Sequence, residues 1–161
     1  MALKTLIFRV IFILFFFLFP YLFELQEIYG EAKVIDGDTI HIGNNKFRLH
    51  GIDAPERNQK CIFNNEDWEC GKNSTLALIE MIENHPVKCR INGVDRYNRF
   101  IAVCFSGKKN LNKMMVKNGW AIAYRYYSLE YAEEEESAKL NNVGIWSGEF
   151  EEPYLFRKKN K

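Results

Sequence analysis

The alternation of apolar and polar residues begins only after a long apolar segment at the start of the chain. From Leu6 to Phe19 every residue is apolar except Arg9, and Lys4 precedes the run. This length suits the core of a signal peptide better than a membrane span of about 20 residues. We predict that residues 1–28 are a signal peptide or, if they are not cleaved, an N-terminal membrane anchor. Both alternatives predict an exported protein, periplasmic or secreted. It would contact the membrane only through this segment, and only if the segment is not cleaved.

The rest of the chain has stretches with the two-residue period that is typical of strands. Gly43-Asn44-Asn45 is a hairpin signal. Pro55 ends the strand that precedes it, because proline has no N–H to donate to a neighbouring strand. Five strands are predicted: two within 31–42, on either side of the turn 36–38, and one each over 46–52, 86–91 and 100–105.

Three helices are predicted around these strands. Asn73-Ser74 has the side chains of an N-cap, and Asn118-Gly119 is a typical helix end. The run Glu133–Glu136 is interpreted as a solvated helix face without a function. The predicted helices run from Asn73 to Glu83, from Asn110 to Lys117 and from Leu129 to Asn141.

The order of these elements predicts an α+β fold with a partly closed sheet, consistent with a small Greek-key barrel. A chain of 161 residues has room for one such domain and an appendage. We place the domain at 29–156, after the apolar segment, and a basic tail at 157–161.

The charge of the chain limits how it can bind anions. The net charge is +1, so there is no overall basic field of the kind that attracts nucleic acid. Any phosphate-binding surface must therefore be local. The arginines available for it are Arg48, Arg96, Arg99 and Arg125.

The four cysteines all lie in the predicted exported part, where an even number favours disulfides. Three pairings are possible. Closure of a short loop favours Cys61–Cys70, and Cys89–Cys104 would then bridge two neighbouring strands. A zinc site is the alternative, which the lack of any C-x-x-C unit disfavours.

Acidic residues and arginines are concentrated in two short stretches. The first contains Asp38, Arg48, Asp53 and Glu56, and the second is Asp95-Arg96-Tyr97-Asn98-Arg99. Carboxylates held close together repel one another unless a cation lies between them. A guanidinium group fits a phosphate with two parallel hydrogen bonds. The combination predicts metal-assisted phosphodiester chemistry.

Three motifs in a fixed order carry a family resemblance. They are Val34-Ile-Asp-Gly-Asp-Thr-Ile40, Phe47-Arg-Leu-His-Gly-Ile-Asp-Ala-Pro-Glu56 and Asp95-Arg-Tyr-Asn-Arg-Phe100. Together they resemble the staphylococcal nuclease (thermonuclease) family, in its exported bacterial branch, and the likeness extends from about Ala32 through Trp146. The fold that this resemblance implies is α+β, an OB-fold five-stranded β-barrel with three helices.

The resemblance also implies roles for individual residues. Asp38, Asp53 and the backbone carbonyl of Ala54 would bind Ca²⁺. Glu56 would align or deprotonate the attacking water, and both alternatives stay open. The remaining implied residues are Arg48 and Arg99, which would hold the scissile phosphate, and Arg96, Tyr97, Tyr124 and Tyr126, which would contact the nucleotide.

Two functional hypotheses follow. The first is a monomeric, calcium-dependent nuclease that hydrolyses phosphodiester bonds within DNA and RNA strands. The alternative is a non-catalytic OB-fold module that binds nucleic acid or protein. The completeness of the acid and arginine set favours the enzyme.

Overall fold

The computed structural model describes residues 26–160. The predicted signal peptide or anchor lies, apart from its last three residues, outside the described residues, and its assignment stays a prediction. In the described part of the chain, no helix is both long and apolar enough to cross a bilayer.

The strands within 26–160 are β1 (Glu27–Gly30), β2 (Ala32–Asp36), β3 (Thr39–Ile42), β4 (Asn45–Leu49), β5 (Ile52–Asp53), β6 (Cys61–Phe63), β7 (Glu66–Trp68), β8 (Val87–Val94), β9 (Phe100–Ser106), β10 (Lys109–Asn110) and β11 (Ile122–Ala123).

Most of these strands belong to a single mixed sheet with the order β1-β8-β9-β4-β3-β2, and β10 is added to β9. All neighbours are antiparallel except β4 and β9, which run parallel. Two further pairs, β5 with β11 and β6 with β7, lie apart from the main sheet.

The five predicted strands are confirmed as β2, β3, β4, β8 and β9. The third, however, ends at Leu49 rather than at residue 52. Gly51 has a φ of +73°, which breaks the extended backbone, and Ile52–Asp53 then forms the separate strand β5. The break carries Asp53 away from β4 and onto β11.

Four α-helices and one 3₁₀-helix occur among the described residues. They are α1 (Cys70–Ile82), α2 (Leu111–Lys117), α3 (Ala132–Leu140), the 3₁₀-helix Gly144–Ser147 and α4 (Pro153–Lys159). The first three are the predicted helices, whereas α4 adds a fourth and spans the predicted boundary between domain and tail at 156/157. Likewise, β1 begins at Glu27, just before the predicted domain start at 29.

The start of α1 differs from the prediction. The helix begins at Cys70, so Asn73-Ser74 lies inside it, and its N-cap residue Glu69 makes no side-chain capping bond. Ser74 instead donates its hydroxyl proton to the Trp120 carbonyl at 2.7 Å. Residues 57–72 contain the hairpin of β6 and β7, which the Cys61–Cys70 disulfide ties to the helix start.

Both predicted disulfides are present. Cys89–Cys104 joins directly paired residues of β8 and β9 inside the main core. Cys61–Cys70 lies in a smaller apolar cluster with Ile122 and Ile145. The largest buried side chains of the main core are Tyr131, Phe47, Ile40, Leu49, Ile52, Leu78, Leu111 and Met115.

One acid of the Glu133–Glu136 run corrects the prediction that this face is solvated. Glu135 is only 4% exposed and accepts hydrogen bonds from the Ala123 N–H at 3.0 Å and from Arg125 Nη2 at 2.7 Å. It therefore anchors α3 to β11. The charge run hid this role because its neighbours along the helix are mostly exposed or half-buried.

Candidate active site

Asp38 and Asp53 meet at one end of the sheet. Asp38 lies in the turn between β2 and β3, and Asp53 ends β5. The Ala54 N–H donates to Asp38 Oδ2 at 3.0 Å, and the Leu49 N–H donates to the Asp38 carbonyl at 2.8 Å. The backbone after β5 is thereby bonded to the acid of the turn. Both carboxylates are buried, at 3% and 0% exposure.

Arg48 lies between these two acids. Its Nη1 donates to Asp38 Oδ1 at 2.9 Å and its Nη2 to Asp53 Oδ1 at 2.7 Å. Arg48 is on β4, directly opposite Thr39 of β3. The register of the hairpin thus brings a residue of the third predicted strand to the acids.

Glu56 follows on a loop that is held from two sides. Its N–H donates to Gln59 Oε1 at 3.2 Å, and the Gln59 N–H donates to its carbonyl at 2.7 Å. A Cβ at Gly71 would lie 1.7 Å from the Glu56 carbonyl oxygen, so only glycine lets the first turn of α1 approach this loop. The helix start and Gln59 together place the Glu56 carboxylate near Asp53.

A second arginine, Arg157 of α4, reaches the same acids. Its Nη1 donates to Asp53 Oδ1 at 2.8 Å and to Glu56 Oε1 at 3.0 Å, and its Nη2 donates to Asp53 Oδ2 at 2.9 Å. The guanidinium covers both oxygens of Asp53 and links them to Glu56. Arg157 falls in the predicted basic tail at 157–161, for which no role was predicted.

Burial shifts the titration of the acids. Burial, and then the charge of nearby Asp38, raises the pKa of Asp36 to about 7. Burial also raises the pKa of Asp53 above its ordinary value and outweighs the hydrogen bond from Arg157, which lowers it. Asp36 Oδ1 accepts from the Asp38 N–H at 3.0 Å, so Asp36 stabilises the turn between β2 and β3.

A surface cleft of about 550 Å³ opens beside Glu56. The residues that line it include the acids Asp36 and Glu56 and the cations Arg57 and Lys72. Its volume falls in the range of small-molecule sites.

Arg99 is engaged within its own turn. Its Nε and Nη2 donate to Asp95 Oδ2 at 2.8 and 2.7 Å, and Asp95 Oδ1 accepts from the Tyr97 N–H. No ion pair joins Arg99 to the buried acids among the described residues. Arg48 pairs with Ile101 of β9, and Arg99 lies two residues before Ile101, just outside the strand. Continued alternation of the backbone would put Arg99 on the same side of the sheet as Arg48.

The predicted nucleotide contacts lie on two surfaces. The Tyr97 ring is 60% exposed, with the guanidinium of Arg96 4.9 Å from its centroid. Tyr124 follows β11, and burial together with the Asp53 charge raises the pKa of its hydroxyl. Tyr126 packs edge-on against Tyr127, which in turn packs against Tyr124. Arg125, a candidate phosphate ligand, is paired with Glu135 and Glu136 instead.

The donor set fits a hard cation in its chemistry. Asp38, Asp53, Glu56 and the Ala54 carbonyl offer only oxygen atoms, which is what Ca²⁺ takes. Across residues 26–160, no three His, Cys, Asp or Glu side chains are grouped so that they could hold a metal ion. The guanidinium groups of Arg48 and Arg157 are bonded to these carboxylates.

Comparison with known proteins decides the family. Residues 46–148 match the family described as "Staphylococcal nuclease homologue". The chain belongs to the staphylococcal nuclease family. The domain of this family is an OB-fold, so the fold class implied by the three motifs is confirmed in β2, β3, β4, β8 and β9.

Three relatives indicate the range of the family. Over 138 residues the chain is 35% identical to an uncharacterized endonuclease of Haemophilus influenzae, covering 81% of this chain and 72% of the relative. Over 151 residues it is 30% identical to a micrococcal nuclease of Shigella flexneri, covering 82% of each. Over 125 residues it is 38% identical to succinoglycan biosynthesis protein ExoI of Rhizobium meliloti, covering 75% of this chain and 65% of the relative.

Arg157 and Gln59 are the site residues that sequence reasoning missed. Arg157 lies beyond the residues that match the staphylococcal nuclease family, 104 positions from Asp53. One signal was available: Pro153 after Glu151-Glu152 is a helix start, which argues against a solvated tail. Nothing in the sequence near Gln59 distinguishes it from an ordinary loop residue.

Proposed function

We propose that the chain is a calcium-dependent nuclease that hydrolyses phosphodiester bonds within DNA and RNA strands. Its family supports a hydrolase acting on nucleic acids, as do two relatives named endonuclease and micrococcal nuclease. We also propose export to an oxidising compartment, which the two disulfides support. The chain would act there as a monomer.

One observation carries the proposal. The carboxylates of Asp53 and Glu56 are bonded to one guanidinium, and those of Asp38 and Asp53 to another. Three acids are thus held together at a cost that only cations offset. Such a cluster beside an open cleft is typical of a site that handles a phosphate together with a metal ion.

Each residue of the cluster has a role in the proposed reaction. Asp38, Asp53 and the Ala54 carbonyl would hold Ca²⁺, which supplies positive charge at the phosphate oxygens when bound. Glu56 orients a water molecule and can accept its proton, because its carboxylate is the most exposed of the three and borders the cleft.

The arginines would act on the phosphate. Arg48 already lies between Asp38 and Asp53, so a phosphate brought to these acids meets its guanidinium. Arg99 would exchange Asp95 for the phosphate on the same side of the sheet. Both would stabilise the negative charge that grows in the transition state. Arg96, Tyr97, Tyr124 and Tyr126 would contact the nucleotide through charge and ring faces.

The test is cleavage of a closed circular single-stranded DNA and of an RNA by the full chain. We expect cleavage in millimolar Ca²⁺ and none in EDTA, and no rescue by Zn²⁺, because the donors are oxygens. A closed circle has no ends, so its cleavage identifies an endonuclease. Glu56→Gln should retain binding of the DNA but lose most of the turnover.

Glu66→Gln is the matched control, since it removes the same charge from an exposed acid of β7. It should cleave like the wild type. Full activity in EDTA would rule out the metal. If folded Glu56→Gln turns over like the wild type, Glu56 does not activate the water. If the wild type binds DNA without cleaving it, the non-catalytic binding module replaces the enzyme.

A further inference from the structure

The C-terminal helix α4 is fastened to the loop that carries Glu56. Glu149 exchanges two backbone hydrogen bonds of 2.8 Å with Ile62. Gln59 Nε2 donates to the Glu151 carbonyl at 2.6 Å while its Oε1 accepts from the Glu56 N–H. Gln59 is 1% exposed, and Pro153 at the helix start is buried. These contacts bring α4 over the acids without any help from Arg157.

The guanidinium of Arg157 takes the place that a cation needs. It donates to both oxygens of Asp53 and to Glu56, so the lone pairs that would face a metal ion face N–H groups instead. Asp53 Oδ1 accepts from both Arg48 and Arg157, so a cation bound to this oxygen would displace one of the two guanidinium groups.

The charges of the cluster favour such an exchange. Asp38, Asp53 and Glu56 together face Arg48 and Arg157, which leaves one negative charge in excess. A divalent cation in place of Arg157 would neutralise the cluster. Because Asp53 is buried, neutralising its charge stabilises the cluster more than it would at an open surface.

Of the two arginines, Arg157 is the one that can leave. Arg48 is part of β4 inside the main sheet, and its side chain is 17% exposed. The Arg157 side chain is 29% exposed and stands on a seven-residue helix at the end of the described chain. Its release breaks no strand pairing.

We propose that Arg157 competes with the divalent cation for Asp53 and Glu56, so that cation binding and the docked state of Arg157 exclude one another. Arg157 holds the acids together before the cation arrives and weakens the affinity of the site for it. This inference rests on the proposed metal site. It adds a residue that lies outside the part of the chain matching the family.

The test is titration of the full chain, kept in a non-ionic detergent, with Ca²⁺ alone by isothermal titration calorimetry. Arg157→Ala and Arg157→Gln should bind Ca²⁺ roughly tenfold more tightly than the wild type, the scale of a charge-assisted hydrogen bond. Lys158→Ala is the matched control, because it removes the same charge from the next residue, which is exposed. It should change the affinity much less.

Hydrogen exchange provides a second readout that does not depend on activity. In the wild type, saturating Ca²⁺ should speed amide exchange over residues 153–160, because α4 loses its bonds to Asp53 and Glu56. In Arg157→Ala, exchange over these residues should already be fast and should not respond to Ca²⁺.

The outcomes separate the two proposals. If Ca²⁺ binds the wild type and Arg157→Ala with equal affinity, or binds the variant more weakly, the competition is refuted and the metal site stands. If Ca²⁺ binds neither, and Asp53→Asn behaves like the wild type, the metal site itself is refuted and the competition falls with it.

Discussion

Arg48 lies on β4 and Arg99 directly precedes the neighbouring parallel strand β9, yet the folded chain gives them different partners. Arg48 bridges two buried acids, whereas Arg99 pairs with Asp95 of its own turn. Removing Arg48 leaves Asp38 without its ion pair and Asp53 with only Arg157. At this scale, the same type of side chain holds two buried acids together in one case and is bonded within its own turn in the other.

Replacing either arginine by alanine should lower kcat by about a hundredfold, the scale for losing one transition-state donor. KM should change less, because the charge that the arginines meet is largest in the transition state. Only Arg48→Ala should also lower the free energy of unfolding, by about 3 kcal/mol, since it uncovers buried charge. Steady-state kinetics and urea unfolding measure both effects.

Arg90→Ala is the control for this pair of variants. Arg90 is an exposed arginine that is paired with Glu27 at the far edge of the sheet. Its loss should leave kcat unchanged. Wild-type kcat in folded Arg99→Ala would show that Arg99 stays with Asp95 during the reaction.

Asp36 predicts a pH dependence of stability. Its pKa is about 7 in the folded chain against 3.8 when unperturbed, so the folded state holds a proton that the unfolded state has released. The stabilisation is complete below about pH 4 and is lost as the pH rises through 7. Asp36→Asn lacks this proton exchange. In EDTA, the variant should therefore gain stability relative to the wild type between pH 5 and pH 8.

Denaturant unfolding at a series of pH values gives the comparison directly. Asp67→Asn, at an exposed acid of β7, serves as the control substitution. A difference between Asp36→Asn and the wild type that does not change with pH would show that Asp36 is ionised in the folded chain.

The structural effect of each disulfide depends on the secondary-structure elements that it joins. Cys89 and Cys104 are already opposite one another in the ladder of β8 and β9. Cys61–Cys70 joins a short hairpin to the start of α1, and Cys70 Sγ contacts the Gln59 carbonyl at 3.5 Å. One bond reinforces a strand pairing that exists without it, whereas the other holds the loop that carries Glu56.

Replacing both cysteines of either pair by alanine should lower the free energy of unfolding by about 2–3 kcal/mol, since the loops are similar in length. Only the Cys61→Ala/Cys70→Ala variant should also lose kcat, because its loop positions Glu56. Urea unfolding and kinetics of both double variants test this. Equal kcat for both would mean that Gln59 and Gly71 suffice to hold the loop.

At the scale of the whole molecule, segments that are distant in the described chain meet at the acids. Gln59 reaches Glu151 across 92 positions, and Arg157 reaches Asp53 across 104. An isolated helix of seven residues is unstable in water, so α4 forms because it docks on the domain. Docking of α4 at this point explains why Arg157 forms a single site with Asp53 and Glu56.

The sequence by itself determined the elements whose signals are local. The alternation of side chains and the hairpin turn predicted β2, β3, β4, β8 and β9, and Asn110 marked the start of α2. The three motifs, by their resemblance to the staphylococcal nuclease family, predicted that Asp38, Arg48, Asp53 and Glu56 lie in one site. Strand register explains only part of this proximity, because Arg48 of β4 lies opposite Thr39, next to Asp38. Asp53 and Glu56 come from β5 and the loop that follows it.

Tertiary structure alone decided which polar residues are buried and which distant residues meet. The run Glu133–Glu136 gave no sign that Glu135 would accept a hydrogen bond from Ala123, because Ala123 lies on another element, β11. Likewise, Arg157 stands in a basic stretch that looks solvated until α4 docks. The free energy of such contacts depends on burial and on partners that are 12 positions away for Glu135 and 104 for Arg157, which no local pattern records.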